Sequence, residues 1–525
     1  MIFSLCITGL LLFMSYTILH RTFFTPLSNI PSAHPLAPYT SLWIQWKRYS
    51  GADFDAVSRA FREKGPFIRL GPSEIAVRTM DDGVKNIYGF DADNWNKTSF
   101  YKSFENYGTQ NTFSSLCQGH TAYRKRLNRV YAKPYIQRSP SVRAILSEIL
   151  IQRVLPIVQA CAARRKPIDI LPLNLAYGLD VVSAFEFGLA RGTNFLEDER
   201  AREEWFALYN ESHSSRSMFW LTEHPVLVNW CRMLGVPLLP NKFCRAKRML
   251  EAWAMERVNH TERFLVDWQG KNKEESVDDA DIPVLYRSLR ADLINNEEDQ
   301  SGNNEALDKT AKPNDTRTLK LASELLDHLV ATRDTFDALR HELLSINQPF
   351  LFRANQQDPL PTPDSLESLP LLNAVIKESL RLRNTGPSLN PRVTPAGRKS
   401  TLGPWTDIPP GTRVGAYAWC IHRDEDVFPD ARTWDPYRWL PENDGGTYSE
   451  EVRAAQERWF WAFGSGSRRC SGMALALEMI RFAVAAIFTN FKGSVVDEGC
   501  SVDDETFVSG DGSEKLWVMF EALQE

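Results

Sequence analysis

One decapeptide constrains this chain more than any other segment. Phe463-Gly464-Ser465-Gly466-Ser467-Arg468-Arg469-Cys470-Ser471-Gly472 sets two glycines and a serine ahead of a cysteine, and an apolar run (Met473, Ala474, Leu475, Leu477, Ile480) follows at once. The glycines permit a tight turn, and the run from Met473 to Asn490 predicts a helix. A cysteine just ahead of a helix N-terminus and beside Arg468 and Arg469 ionises readily, because dipole and charges both favour thiolate. Thiolate is the form that binds a metal. Phe463 is placed to pack over the sulfur, and the backbone N–H groups of the turn to donate to it. Taken alone, the same ten residues also suit a surface turn with an ordinary buried cysteine, so other segments have to decide.

Composition narrows the class. The 525 residues carry 61 basic against 66 acidic side chains, a net charge of −5 with no basic excess of the kind a nucleic-acid binder shows. Eight cysteines are scattered without C-x-x-C spacing, which points away from a zinc site, a dithiol motif or a disulfide framework. Ile2 to Leu19 is uncharged and dominated by Leu, Ile, Phe and Met, and His20-Arg21 follows. Positive charge after the stretch and none before it favours a retained anchor at 2–20 over its rival, a cleaved signal peptide, with everything downstream on the cytosolic face. Pro26, Pro31, Pro35 and Pro38 make 21–42 a stiff hinge, leaving 43–525 as one catalytic domain. Within that domain Ile145 to Ala163 reads as helix, Gly65 to Thr79 as a small sheet and Pro387 to Pro441 as turn-rich and β-leaning. The span 270–316, poor in apolar side chains, reads as an exposed loop. A further helix is expected from Leu319.

Two more segments share the order of the first. Glu378-Ser379-Leu380-Arg381 puts an acid and a base on one helical face, with Leu371, Val375 and Leu382 on an apolar side and Ser368-Leu369-Pro370 as N-cap and first turn. An isolated E-x-x-R is a solvated pair of little worth. Trp434-Asp435-Pro436-Tyr437-Arg438-Trp439 lies between it and the cysteine loop. Together these resemble the cytochrome P450 family, whose haem loop, Phe-x-x-Gly-x-Arg-x-Cys-x-Gly, the decapeptide matches at every specified position.

The resemblance implies a mainly α fold with small β-sheets behind one membrane-anchoring helix. It implies haem b with Cys470 as the axial thiolate, the metal ligand. Phe463, Gly466 and Gly472 shape the loop, and Arg468 is a partner for a haem propionate. Glu378, Arg381 and Arg438 become a buried triad holding the proximal side. Ala331-Thr332-Arg333-Asp334-Thr335 resembles the oxygen-binding segment of the central helix, with Thr335 and Asp334 serving oxygen and proton delivery. His120 and Arg124, one helical turn apart, and Arg392 are further propionate candidates. The basic run Arg124, Lys125, Arg126 and Arg129, with Arg469, is either a docking patch for an acidic electron donor or a solvated helix face.

The activity so implied inserts one oxygen atom of O2 into a lipophilic small molecule. Electrons come from NADPH through a separate NADPH–cytochrome P450 reductase, because the chain has no G-x-G-x-x-G fingerprint. The implied location is the endoplasmic reticulum membrane, with the catalytic domain facing the cytosol. Three departures stand out: Thr332 where the family usually has glycine, Phe336 where it has a hydroxyl residue, and Phe336 to Leu344 following Thr335 without the usual intervening helix. They leave two other readings open, a haem-thiolate isomerase or dehydratase that needs no external electrons, and a non-catalytic relative.

Overall fold

The computed structural model describes residues 24–89, 95–116, 119–270, 277–300, 340–352, 360–383, 389–497 and 516–523, with scattered positions between 8 and 20. The helices that matter for the site are, in chain order, α1 (Leu42–Tyr49), α2 (Asp53–Lys64), α3 (Gly119–Asn128), α4 (Pro140–Ala163), α5 (Ile170–Phe187), α6 (Ser215–Glu223), α7 (Pro225–Met233), α8 (Asn241–Gly270), α9 (Val284–Gln300), α10 (Arg340–Leu344), α11 (Pro370–Leu382), α12 (Ala418–His422) and α13 (Met473–Asn490), with further helices between them, Glu199–Ser212 and Glu450–Trp459 among them. The strands are β1 (Phe67–Gly71), β2 (Glu74–Val77), β3 (Asn96–Lys97), β4 (Ile168–Asp169), β5 (Arg392–Val393), β6 (Ser400–Leu402), β7 (Trp405–Ile408), β8 (Arg413–Ala416), β9 (Phe491–Asp497) and β10 (Trp517–Ala522). The chain is thus mainly helical with small sheets.

The largest sheet has the order β1-β2-β8-β5-β3. Both faces of β1 and β2 are covered, which is why every residue in them is buried and nearly all are apolar. Arg69 and Glu74 are the exceptions: Glu74 pairs with Arg48, and the Arg69 guanidinium donates to the carbonyls of Leu27, Gly71 and Pro72. Those bonds, with Leu27, Ile30 and Ala37 buried, dock the proline-rich stretch on β1. From Pro26 onward the expected hinge is therefore part of the folded body.

The helical core joins α4, α5, α9, α11 and α13. Helix α13 runs over Met473–Asn490, as its apolar run predicts, and buries Leu475, Met479, Phe482, Ala485 and Ile487. Three helices, α4, α5 and α13, are long and apolar enough to cross a membrane, yet most of the apolar window is packed inside the fold in α5 and α13. Most of the anchor stretch 2–20 lies outside the described residues, as does the helix expected from Leu319.

Two sequence expectations need correction. The span 270–316 contains α9, whose Val284, Leu285, Tyr286 and Leu289 are buried while Arg290 pairs with Glu262 of α8. The apolar residues there are gathered at the start of α9, which the overall polarity of the span conceals. Ser368 does not cap α11. The cap position is Leu369, and the Glu342 carboxylate of α10 accepts from the Leu371 and Leu372 N–H groups at 2.7 Å each. A carboxylate satisfies the orphan donors and complements the helix dipole at once.

Candidate active site

The cysteine loop begins where Trp461 enters the core. Gly464 and Gly466 have φ of +67° and +64°, the left-handed region that glycine tolerates. The Cys470 N–H closes back on the Phe463 carbonyl at 2.9 Å, and the Arg469 N–H on Gly466 at 3.2 Å. A methyl group on Gly466 would lie 1.9 Å from the Tyr88 carbonyl oxygen, so the loop is seated on the backbone of that residue. Gly466→Ala is therefore expected to abolish proper seating of the loop. The reduced carbon monoxide spectrum of the variant should lose its thiolate band, whereas Gly464→Ala, with nothing within 4 Å of the added carbon, should be the milder change.

Cys470 is exposed and stands three residues before α13, whose cap residue, Gly472, brings no side-chain oxygen to the first amides. Arg124 of α3 reaches across and donates to the carbonyls of Ser467 (2.9 Å) and Arg469 (2.6 Å). Burial and the adjacent Arg469 charge push the Arg124 guanidinium below its ordinary pKa, while the Cys470 sulfur works the other way. Negative charge at the site would relieve that strain. Arg468 donates to the Ser115 carbonyl at 3.1 Å.

Arg392 is buried, bonded to the Tyr101 hydroxyl at 2.8 Å and to the Pro391 carbonyl at 3.1 Å, with its guanidinium over the rings of Tyr88 and Tyr101. Opposite it in the β3–β5 register stands Lys97, also buried, which donates to the Phe113 carbonyl and sits over the rings of Tyr101 and Phe113. Sequence reasoning missed Lys97 and Tyr101. The cue was the aromatic run Trp95 to Phe104, with Tyr101 between Lys97 and Lys102, but no spacing rule pairs them with Arg392.

The triad is assembled as the resemblance implies. Glu378, Arg381 and Arg438 are completely buried. Arg381 binds the Glu378 carboxylate bidentately at 2.9 and 2.7 Å, and Arg438 adds a bond of 3.0 Å. The Trp439 indole N–H and the Asp435 amide, each at 3.0 Å, complete the shell. Burial alone would raise the Glu378 pKa. Hydrogen bonds from Arg381 and the two arginine charges outweigh it and hold the carboxyl below its usual range. Remaining Arg381 donors go to the carbonyls of His422 and Ala431, each at 2.6 Å.

The donor set suits a haem: an exposed thiol at a helix start, arginines around it, and a glycine, Gly466, where a side chain would intrude. Asp334 and Thr335, with Ala331, Thr332 and Phe336 to Leu339, lie outside the described residues, as does the side chain of His120.

Residues 31–512 match the family described as Cytochrome P450. The chain belongs to the cytochrome P450 family. Members are haem-thiolate enzymes with a cysteine as axial iron ligand, and the monooxygenases among them need a redox partner and generally take lipophilic substrates. Similar curated proteins are fungal. Cytochrome P450 monooxygenase avaI of Aspergillus versicolor is 26% identical over 440 residues, 81% of this chain and 93% of the relative. Fusicoccadiene C-8 hydroxylase of Phomopsis amygdali is 27% identical over 490 residues, 90% and 86% of the two chains. Cytochrome P450 monooxygenase gsfF of Penicillium aethiopicum is 27% identical over 494 residues, 90% and 89% of the two chains. This chain is accordingly an enzyme of the cytochrome P450 monooxygenase type.

Proposed function

We propose that this cytochrome P450 inserts one oxygen atom of O2 into a lipophilic secondary metabolite. Haem b is held through Cys470, and electrons are drawn from NADPH by way of a separate NADPH–cytochrome P450 reductase. The observation that carries the reading is the exposed Cys470 at the start of a buried apolar helix, in a loop clamped by Arg124 on one side and seated on Tyr88 on the other. When bound, the haem activates O2 with two electrons and two protons, so that one oxygen atom enters the substrate and the other leaves as water. Cys470 supplies the thiolate. Arg468, Arg124 and Arg392, with His120, are the groups for the haem propionates, the arginines being permanently charged forked donors. Phe463 and the turn amides are the groups to shield and hydrogen-bond the sulfur once the haem covers it. Asp334 and Thr335 pass protons to the oxygen substrate. Of the basic run, Lys125, Arg129 and Arg469 are exposed and are the residues for an acidic redox partner, whereas Arg124 is turned inward.

Attachment to the endoplasmic reticulum membrane, through the anchor 2–20, is supported by an apolar surface on the folded body. In α7 and the residues after it, Val226 (69% exposed), Trp230 (62%) and Met233 (76%) stand out with Leu234 and Val236, and Leu42 and Trp46 of α1 are exposed beside α6. A cavity of about 470 Å³ lies under α7, lined by Ser99, Glu223, His224, Val226, Leu227 and Trp230. A lipophilic substrate dissolved in the bilayer would meet that face first.

The test is the carbon monoxide difference spectrum of the reduced, membrane-expressed protein, followed by turnover with NADPH and reductase. The strongly red-shifted Soret band of thiolate ligation and electron-dependent product are expected. Turnover without electrons would favour an isomerase or dehydratase, and failure to take up haem a non-catalytic relative.

A further inference from the structure

His422 closes α12 and is completely buried, yet no step of the proposed reaction uses it. Its two ring nitrogens face partners of opposite kind. Nδ1 lies 3.0 Å from the Arg381 backbone carbonyl, which can only accept. Nε2 lies 2.9 Å from the Trp461 amide, which can only donate. The pair of contacts fixes one tautomer, neutral, with the proton on Nδ1. An imidazolium would set N–H against N–H at Trp461. Burial, then the charges of Arg381 and Arg423, push its pKa down to about 3, in keeping with that geometry. The Phe460 ring stacks on the imidazole, 5.7 Å between centroids and 16° between planes.

The two partners belong to different parts of the site. Arg381 is the centre of the buried triad, and it also donates to the His422 carbonyl at 2.6 Å. Trp461 opens the cysteine loop. Its indole N–H donates to the Ser465 hydroxyl at 2.9 Å, and its ring packs on Tyr88, 4.9 Å between centroids. Ser465 sits between the two left-handed glycines, and Gly466 is seated on the Tyr88 carbonyl. One unbroken path therefore runs from Glu378 through Arg381, His422, Trp461 and Ser465 to the turn that presents Cys470.

We infer that His422 is a positioning residue, whose imidazole carries the rigidity of the Glu378–Arg381–Arg438 triad into the cysteine loop and so fixes the Cys470 sulfur at its bonding height. The inference rests on Cys470 as the haem ligand. A buried strut that satisfies both ends resists small displacements, because moving either partner leaves a buried donor or acceptor unpaired. A thiolate ligand needs that precision, since a small drift of the sulfur weakens its hold on the metal while the fold around it stays intact.

The test uses the full-length, haem-loaded protein and two readouts along one urea series: the reduced carbon monoxide spectrum for thiolate ligation and far-ultraviolet circular dichroism for the fold. His422→Gln can still accept from the Trp461 amide and should stay within about two-fold of the parent rate of thiolate loss. His422→Asn keeps the bond to Arg381 but is too short for Trp461, and should lose the thiolate band about ten-fold faster at urea concentrations where the dichroism is unchanged. Ser465→Ala, partly exposed and safe for folding, should move in the same direction by about three-fold. Thiolate band and dichroism falling together in every variant would make His422 merely structural and overturn the inference. So would glutamine and asparagine behaving alike, or Ser465→Ala having no effect. A parent protein that binds haem without the thiolate band would instead overturn Cys470 as ligand, and this inference with it.

Discussion

Cys470→Ser is expected to yield a folded protein with no thiolate band and no electron-dependent turnover. Serine differs from cysteine by one atom, and position 470 is exposed in a loop, so the fold loses almost nothing. Global stability should stay within about 0.5 kcal/mol of the parent, the usual range for an exposed substitution. The chemistry changes completely. A thiol beside a helix N-terminus and cations ionises more readily than a free one, whereas a hydroxyl stays protonated and is a poor metal ligand. Urea unfolding by circular dichroism and the reduced carbon monoxide spectrum check the two halves separately. A retained red-shifted band would place the ligand elsewhere.

The second large effect is expected at Glu378, and there the fold itself should fail. Glu378→Gln keeps the size of the side chain and removes the one negative charge that faces two fully buried arginines. Breaking a buried ion pair by removing one partner costs about 3–5 kcal/mol, because the other charge is left in a poor solvent. That is a large share of the roughly 5–15 kcal/mol that holds a folded domain. The amide also cannot accept all five bonds that Arg381, Arg438, the Trp439 indole and the Asp435 amide now make to the carboxylate. Little soluble, haem-loaded protein should be recovered, and what is recovered should melt many degrees lower. Glu457→Gln, which breaks the outlying pair with Lys377, is the control and should be near neutral.

The triad also sets the acid limit. The folded-state pKa of Glu378 is depressed, so its contribution to stability is fully present above the unfolded carboxyl value and is lost as pH falls through the folded one. Thermal melts of the parent should therefore decline on acidification below the ordinary carboxyl range, and those of Glu378→Gln should be less sensitive there. His422 has the same sign: its folded-state pKa is pushed down to about 3, so its contribution is fully present above the unfolded imidazole value and is lost as pH falls from there toward the folded one.

What the sequence determined was local. The order glycine, glycine, cysteine, apolar helix depends on neighbours along the chain, and the loop and α13 formed at the expected residues. The E-x-x-R pair and the Trp434 to Trp439 segment were legible for the same reason, since one helical turn and one short turn define each. Tertiary structure decided everything that joins distant segments. It gave Glu378 two further donors, from Trp439 and Asp435, brought Lys97 beside Arg392 through strand register, and turned Arg124 inward from its basic run. It replaced the expected Ser368 cap with Glu342 and folded α9 out of a span that reads as loop. His422 illustrates the division best. Nothing in its neighbours marks it, because a histidine's role is set by what its two nitrogens meet, and here those are a carbonyl 41 residues earlier and an amide 39 residues later. Periodicity and capping are written in steps of a few residues, whereas hydrogen bonding between buried groups is chosen only once the chain has closed around them.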